Sequence, residues 1–217
     1  PSRELDVKIN AEVIVIGGGS AGIAAAIAAS RNGADTVLLE QGGCCGGMAS
    51  RGLLTSIICM TDGVNILANG ICKEFVEKIV DDMKLNEVNY RWQNIHPESV
   101  KKVADQMLET AGVKVIYETV VTDCVVENEK ITALKCFSPC GNFAATGKIF
   151  IDCTGDGDVA ALSGCSYDYG NDQKEVQPSS LNAIVTGLKL EEVKDYLVPH
   201  GKLRLKEELA KCGITPS

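Results

Sequence analysis

Histidine is nearly missing from this chain, with two residues in 217, His96 and His200. Neither stands at a ligand spacing from other donors, so no metal site is expected. An excess of positive charge is also missing: 21 Lys and Arg face 29 Asp and Glu, a net charge of −8. Nucleic acid is therefore disfavoured as a partner, because its phosphates require basic patches. No apolar run reaches the ~20 residues of a membrane-spanning helix, so no membrane partner is expected either. The opening PSRELDVKIN has no apolar segment of the kind an export signal needs. The expected location is the cytoplasm, where the ten irregularly spaced cysteines read as mostly reduced thiols. What is present is ordinary for a globular protein, with 45% hydrophobic and 23% charged residues. The length suits one large domain, or one domain and part of another.

The strongest signal is AEVIVIGGGSAG, residues 11–22. An apolar run is cut by three glycines and followed by a small-residue helical stretch, residues 20–30. This is the strand–turn–helix entry of a dinucleotide-binding unit, with Gly17, Gly19 and Gly22 as its glycine triplet. Gly17 permits the tight turn, Gly19 lets a pyrophosphate approach the backbone, and Gly22 lets the helix lie close on the strand. The helix start then offers free N–H groups and the positive end of its dipole to the phosphates. A glycine-rich turn in any parallel α/β protein gives the same triplet, so context decides. Residues 34–39 read as a second buried strand ending in Glu40, 18 residues after Gly22. That is close to the ~20-residue spacing of an acid that holds a ribose hydroxyl.

The loop at residues 41–50, QGGCCGGMAS, follows directly. It lies at the carboxyl end of a parallel strand, where ligands sit, and reads as a second backbone approach to the same cofactor. Residues 66–84 show helical spacing of apolar positions. Residues 86–94 read as a polar connection whose Trp92 and Tyr90 serve packing. His96 caps the next helix, with Pro97 in its first turn and Gly112 as its stop. A strand at 113–117 precedes three antiparallel ones, at 119–127, 130–137 and 142–151. After the last comes DCTGDGD and a short helix, residues 159–163. The tail reads as a strand at 177–188 and helices at 191–198 and 203–211, with residues 4–10 as a lead-in segment. The pattern is α/β alternation followed by a β-meander, an α/β fold class.

Residues 6–170 resemble the FAD-dependent oxidoreductases of the glutathione-reductase-like dinucleotide fold. The similarity is closest to a bacterial group with a GGGxAGIAAAIAA start, a GGM loop and a TGDGD segment. Here these read IGGGSAGIAAAIAA, EQGGCCGGMAS and CTGDGDVAALSG. The resemblance implies a Rossmann-like three-layer domain, with a parallel sheet and the meander as a small extra sheet beside it. It also implies FAD as cofactor and places residues around it. Gly17, Gly19, Ser20, Ala21 and Gly22 would face the pyrophosphate. Glu40, with Gln41 beside it, would hold the adenosine ribose. Gly46, Gly47, Met48 and Ala49 would run past the pyrophosphate towards the flavin. Val121 would meet adenine through its backbone, and Thr154, Gly155 and Asp156 would close over the cofactor. The flavoprotein disulfide reductases place a redox cysteine just after the paired glycines. Met48 and Ala49 stand there instead, which excludes that subclass.

The expected function is hydride transfer between flavin and an unidentified small-molecule substrate, the cofactor carrying the chemistry. A non-catalytic nucleotide-binding subunit that works only with a partner chain is the alternative. Catalytic residues are not assigned. Arg51 either binds a substrate carboxylate or is a plain solvent-exposed cation. Cys44 and Cys45 read as unreactive thiols, since no basic residue lies nearer in sequence than Arg51. Cys59, Cys72, Cys124, Cys153 and Cys165 read as small core residues. Residues 1–176 form the expected FAD-binding domain and 177–217 the start of a substrate or cap domain. Some 40 residues are too few for a whole cap domain, so the expectation includes a missing C-terminal segment, a partner chain or a homo-oligomer.

Overall fold

In the computed structural model the four residues Val13, Ile14, Val15 and Ile16 are all buried. A strand alternates its faces, so a run with no polar position must be covered on both sides. It is. Val13 and Val15 face a helical layer, while Ile14 and Ile16 pack against the other side of the sheet. These residues end β1 (Val7–Ile16), which is followed by α1 (Ser20–Arg31) and β2 (Thr36–Leu39). β2 runs parallel to β1, with Val13 opposite Thr36 and Ile16 opposite Leu39. α1 lies on the sheet through Ile23, Ala26 and Ile27, each at most 1% exposed. Burying each such isoleucine stabilises the fold by roughly 1.5–3 kcal/mol. The structure describes residues 5–184, with 186, 187, 189, 191, 197, 198, 202 and 203 beyond them.

β3 (Ser56–Ile58), α2 (Ile71–Asp82) and β4 (Trp92–Asn94) come next, and β3 pairs antiparallel with β4 as a separate two-stranded sheet. α3 (Pro97–Ala111) then packs beside α1, presenting Val100, Val103, Ala104, Met107 and Leu108 to the core. His96 caps it by accepting the Glu98 N–H at its Nδ1, and Gly112 ends it at φ +81°. β5 (Lys114–Ile116) adds parallel to β2. The meander follows as β6 (Val120–Glu127), β7 (Lys130–Ser138) and β8 (Gly141–Asp152), before the short α4 (Asp158–Leu162).

β8 joins the two halves. Through Thr146 it pairs with β7, and from Ala144 onward it runs parallel to β1; beyond Thr146 it pairs with β1 alone among the described residues. The six strands therefore form one sheet, ordered β5-β2-β1-β8-β7-β6. The small extra sheet expected beside the main one is this meander, hydrogen-bonded into the same sheet. It still supplies a third layer: Leu134, Cys136 and Phe143 pack on Ile14, Ile16, Val37 and Leu39. The α/β, Rossmann-like fold read from the sequence is the one observed.

Several expected boundaries move. Residues 7–10 belong to β1. α2 begins at Ile71, after Gly70 at φ +66°, so Ile66 and Leu67 precede the helix, and Ile66 bridges Thr61. Trp92 is 56% exposed and donates to Asn94 instead of packing in a core. Cys59, Cys72 and Cys165 are exposed, because they fall on a strand end, an outer helix face and a helix exit. Residues 177–184 form no strand, and Leu181 among them is 99% exposed.

The chain divides into two compact units, Pro1–Asn182 and Ala183–Ser217. In the second, β9 (Leu197–Val198) pairs antiparallel with β10 (Lys202–Leu203). Helix was expected at Leu197, Val198 and Leu203; the proline that follows Val198 disfavours helix before it. Apart from Glu191, the rest of the two expected tail helices, and His200, lie outside the described residues.

Candidate functional site

Each glycine of the β1–α1 turn meets a different obstacle. Gly17 has φ +97°, and a Cβ there would lie 2.5 Å from the carbonyl oxygen of Cys153. Its N–H donates to the Leu39 carbonyl at 2.8 Å, while the Cys153 N–H donates to Ile16 at the same distance. A Cβ on Gly22 would collide with the carbonyl oxygen of Gly17, so α1 reaches its depth on the sheet only with glycine there. Gly19 is different. It is extended, at φ −72° and ψ −174°, and a Cβ would find its nearest neighbour, Gly47 Cα, only at 4.0 Å. The space beside Gly19 is open.

α1 starts there without a side-chain cap and without an acidic residue in its first turn. Its first helical bond runs from the Ile23 N–H to the Gly19 carbonyl, 2.9 Å. The N–H groups of Ser20, Ala21 and Gly22 thus have no acceptor within the helix. Ser20 is exposed, while Gly22 is buried.

Glu40 stands at the end of β2, where sequence spacing puts it, but 6% exposed. Its Oε2 accepts the Gly18 N–H and its Oε1 accepts the Gly42 N–H, both at 2.6 Å. The Arg51 guanidinium lies 3.4 Å from Oε1 and is itself half-exposed. Backbone bonds on either side hold the residue still: the Glu40 N–H donates to Ile116, and the Thr119 N–H donates to the Glu40 carbonyl. The carboxylate therefore braces the glycine turn from within. Oε2, with a single donor, still has lone-pair capacity for another. Sequence reading missed this bracing, since the partners are main-chain amides with no side-chain signature.

The loop after Glu40 folds back onto the turn. Gly46, at φ +110°, donates its N–H to the Gly18 carbonyl at 2.8 Å. A Cβ on Gly47 would lie 3.0 Å from Gly19 Cα. A short 3-10 turn, Gly47–Ala49, carries Met48 outward, 63% exposed, with Ala49 half-buried and Gln41 exposed. Beneath it Cys45 is fully buried, and burial pushes its thiol up to about 12. The Tyr117 hydroxyl lies within reach of that thiol and donates to Asp105; burial pushes its ionisation up as well. Such a thiol packs and does not attack, as read for Cys45 from the sequence.

The segment after β8 is organised by Asp152, which sequence reading passed over. Its Oδ1 accepts the Thr154 N–H and hydroxyl, and its Oδ2 accepts the Ala160 N–H. Burial opposes its charge, but these hydrogen bonds outweigh that and hold the carboxyl below its ordinary value. Thr154 Oγ1 also accepts the Asp158 N–H, so the Thr154 side chain fixes the turn into α4. A Cβ on Gly155 would meet nothing within 4 Å, and Asp156 is exposed. The geometry brings Gly17, Gly19, Gly22, Glu40, Gly46 and Gly47 together, with Cys153 and Thr154 against Gly17. Val121 stands apart on β6, the end strand of the sheet, its side chain against the second core. Among the described residues no cluster of His, Cys, Asp and Glu is arranged to hold a metal ion. Nor, among them, is any helix long and apolar enough to cross a membrane.

Residues 12–211 match the family described as FAD dependent oxidoreductase. Among solved structures, the fold is similar to that of THI4 from Thermovibrio ammonificans, at 17% identity and TM-score 0.52, over 70% of this chain and 61% of that one. A geranylgeranyl bacteriochlorophyll reductase-like protein from Thermoplasma acidophilum gives 18% identity and TM-score 0.52, over 72% and 42% of the two chains. The anhydrotetracycline hydroxylase OxyS of Streptomyces rimosus gives 13% identity and TM-score 0.56, over 75% and 36%. The chain thus aligns with between 36% and 61% of the length of these structures. No curated protein sequence gives a significant match.

Proposed function

The chain belongs to the FAD-dependent oxidoreductase family, and from that premise we propose that its glycine turn holds FAD for hydride exchange with a small-molecule substrate. The observation that carries this reading is the open space beside Gly19. Gly17 and Gly22 are required by neighbouring backbone, whereas a Cβ on Gly19 or Gly155 would meet no atom closer than 4.0 Å. Bare backbone beside uncapped N–H groups suits a pyrophosphate, which brings charge and acceptors but needs close approach. In this reading the N–H groups of Ser20 and Ala21 bind the phosphates. Glu40 accepts a ribose hydroxyl with the lone pair left on Oε2. Gly46, Gly47, Met48 and Ala49 line the way towards the flavin, beside Gln41. Gly155 and Asp156 close the site, with Thr154 setting their turn, and the Val121 backbone meets adenine. The flavin supplies hydride acceptance when bound; the chain binds, orients and shields it.

The same reading assigns the glutathione-reductase-like subgroup, residues 1–176 as the FAD domain and 177–217 as the start of a substrate or cap region. Titration of apoprotein with FAD, FMN and NAD tests it. FAD is expected to bind tightest, because FMN lacks the adenosine ribose that Glu40 holds. Glu40→Ala should weaken FAD by roughly 1–3 kcal/mol, the scale of a hydrogen bond to a charged group. Equal or tighter FMN binding overturns the proposal.

A further inference from the structure

Away from the glycine turn, the first unit contains a second concave feature, a groove of about 540 Å³. One wall is β5 and the segment after it, with Lys114, Ile116 and Glu118; the other is the start of β1 and the β7–β8 turn, with Lys8, Ile9 and Phe143. The floor is apolar: Ile9 and Phe143 are buried, and Ile116 is half-buried. Volume and lining are those of a small-molecule site, in which a few polar groups orient an apolar body.

Charge narrows the occupant. Each wall contributes one lysine, and neither Lys8 nor Lys114 has a carboxylate within ion-pair reach among the described residues. Lys73, Lys101, Lys102, Lys135 and Lys148 do, whereas Lys78, Lys84, Lys130 and Lys174, elsewhere on the surface, do not. Two unpaired ammonium groups on one groove run against the chain's net charge of −8. Lys8 Nζ stands 6.0 Å from the centre of the Phe143 ring, which keeps its charge over the groove. Among the described residues, Glu118 is the only acid in the lining. It marks the Gly43 side, where a Cβ on Gly43 would lie 3.8 Å from its Oε1. It disfavours a second anionic group there, and so a diacid or a nucleotide.

We propose that this groove binds an amphipathic organic monoanion, an aromatic or branched apolar body carrying one carboxylate or sulfonate. The lysines hold the anionic group and the apolar floor holds the body. None of the glycines of the β1–α1 turn lines the groove, although Gly43, Glu118 and Thr119 in its lining adjoin the Glu40 loop, and the groove takes its own ligand.

The test is a fluorescence titration of the whole chain with 8-anilinonaphthalene-1-sulfonate, alongside N-phenyl-1-naphthylamine, which has the same rings and no sulfonate. The sulfonate is expected to bind the more tightly, by about tenfold, and to weaken with added salt. The Lys8→Glu, Lys114→Glu double variant should lose about tenfold in sulfonate affinity with little change for the neutral amine. Glu118→Lys should bind the sulfonate more tightly with little change for the neutral amine, a selectivity that misfolding, which exposes apolar surface to both probes, does not imitate. Equal binding of the two probes, or sulfonate binding indifferent to these variants, overturns the proposal. Displacement of the sulfonate by saturating FAD overturns the separateness of the site. A failure of FAD to bind leaves the probe result intact, so the two readings fail independently.

Discussion

Gly22 and Gly155 are both glycines of the proposed cofactor site, yet they answer to different forces. A Cβ on Gly22 runs into the Gly17 carbonyl, whereas one on Gly155 meets nothing. Gly22→Ala should therefore destabilise the fold, at the upper end of the ~1–3 kcal/mol cost of overpacking. Gly155→Ala should leave the unfolding free energy from a urea titration within about 0.5 kcal/mol of the parent. Equal effects on unfolding would show that the turn yields more than its geometry allows. Cys45 makes a pH prediction. Folding raises its thiol from the ordinary 9.0 to about 12, so between those values the folded chain holds a proton that the unfolded chain releases. The stability is fully present below pH 9 and is lost as pH climbs towards 12, by at most about 1.4 kcal/mol per pH unit. Urea midpoints at about pH 8 and about pH 10 should fall with alkali, and Cys45→Ala should make the fall shallower. The glycine triplet and Glu40 were legible because each obeys a local spacing. The bracing of Gly18 by Glu40 was not, because main-chain amides leave no mark on composition, and Asp152 was missed because its partners are mostly its own neighbours' N–H groups.

At the scale of elements, legibility followed the range of the contacts involved. α3 carries its own start and stop signals in His96, Pro97 and Gly112, and the structure uses all three. The meander was readable because its strands are joined by short turns at residues 128–129 and 139–140. β3 and β4 were not, since Ser56–Ile58 finds Trp92–Asn94 only across the whole of α2. The layer that the meander forms has a measurable consequence. Leu134, fully buried, packs on the face of the sheet opposite the helices, whereas Val126 on the neighbouring strand is 42% exposed. Leu134→Ala should cost about 2–5 kcal/mol. Val126→Ala should cost well under about 1 kcal/mol in the same urea titration. Similar costs would mean that the third layer is not held by this core.

The whole molecule combines a sequence-legible half with a part that gave few signals. Residues 12–40 announce the parallel unit, while the turn from parallel to antiparallel pairing along β8 depends on where β7 stops, which no local pattern states. That change of partner leaves a ribbon of main chain with one neighbour. Beyond Thr146, the N–H and C=O groups on the far side of β8 meet no strand among the described residues, and Ile149 beside them is 55% exposed. An open strand edge with an apolar side chain is a template for self-association. Light scattering should accordingly rise with protein concentration, and Ile149→Lys should suppress the rise, since a lysine on an edge strand opposes pairing with another chain. Scattering that does not respond to this substitution would place the sticky surface elsewhere. If the lysine does act, the solubility of this chain is governed by six residues of one strand, and handling it at high concentration becomes a problem of guarding that margin.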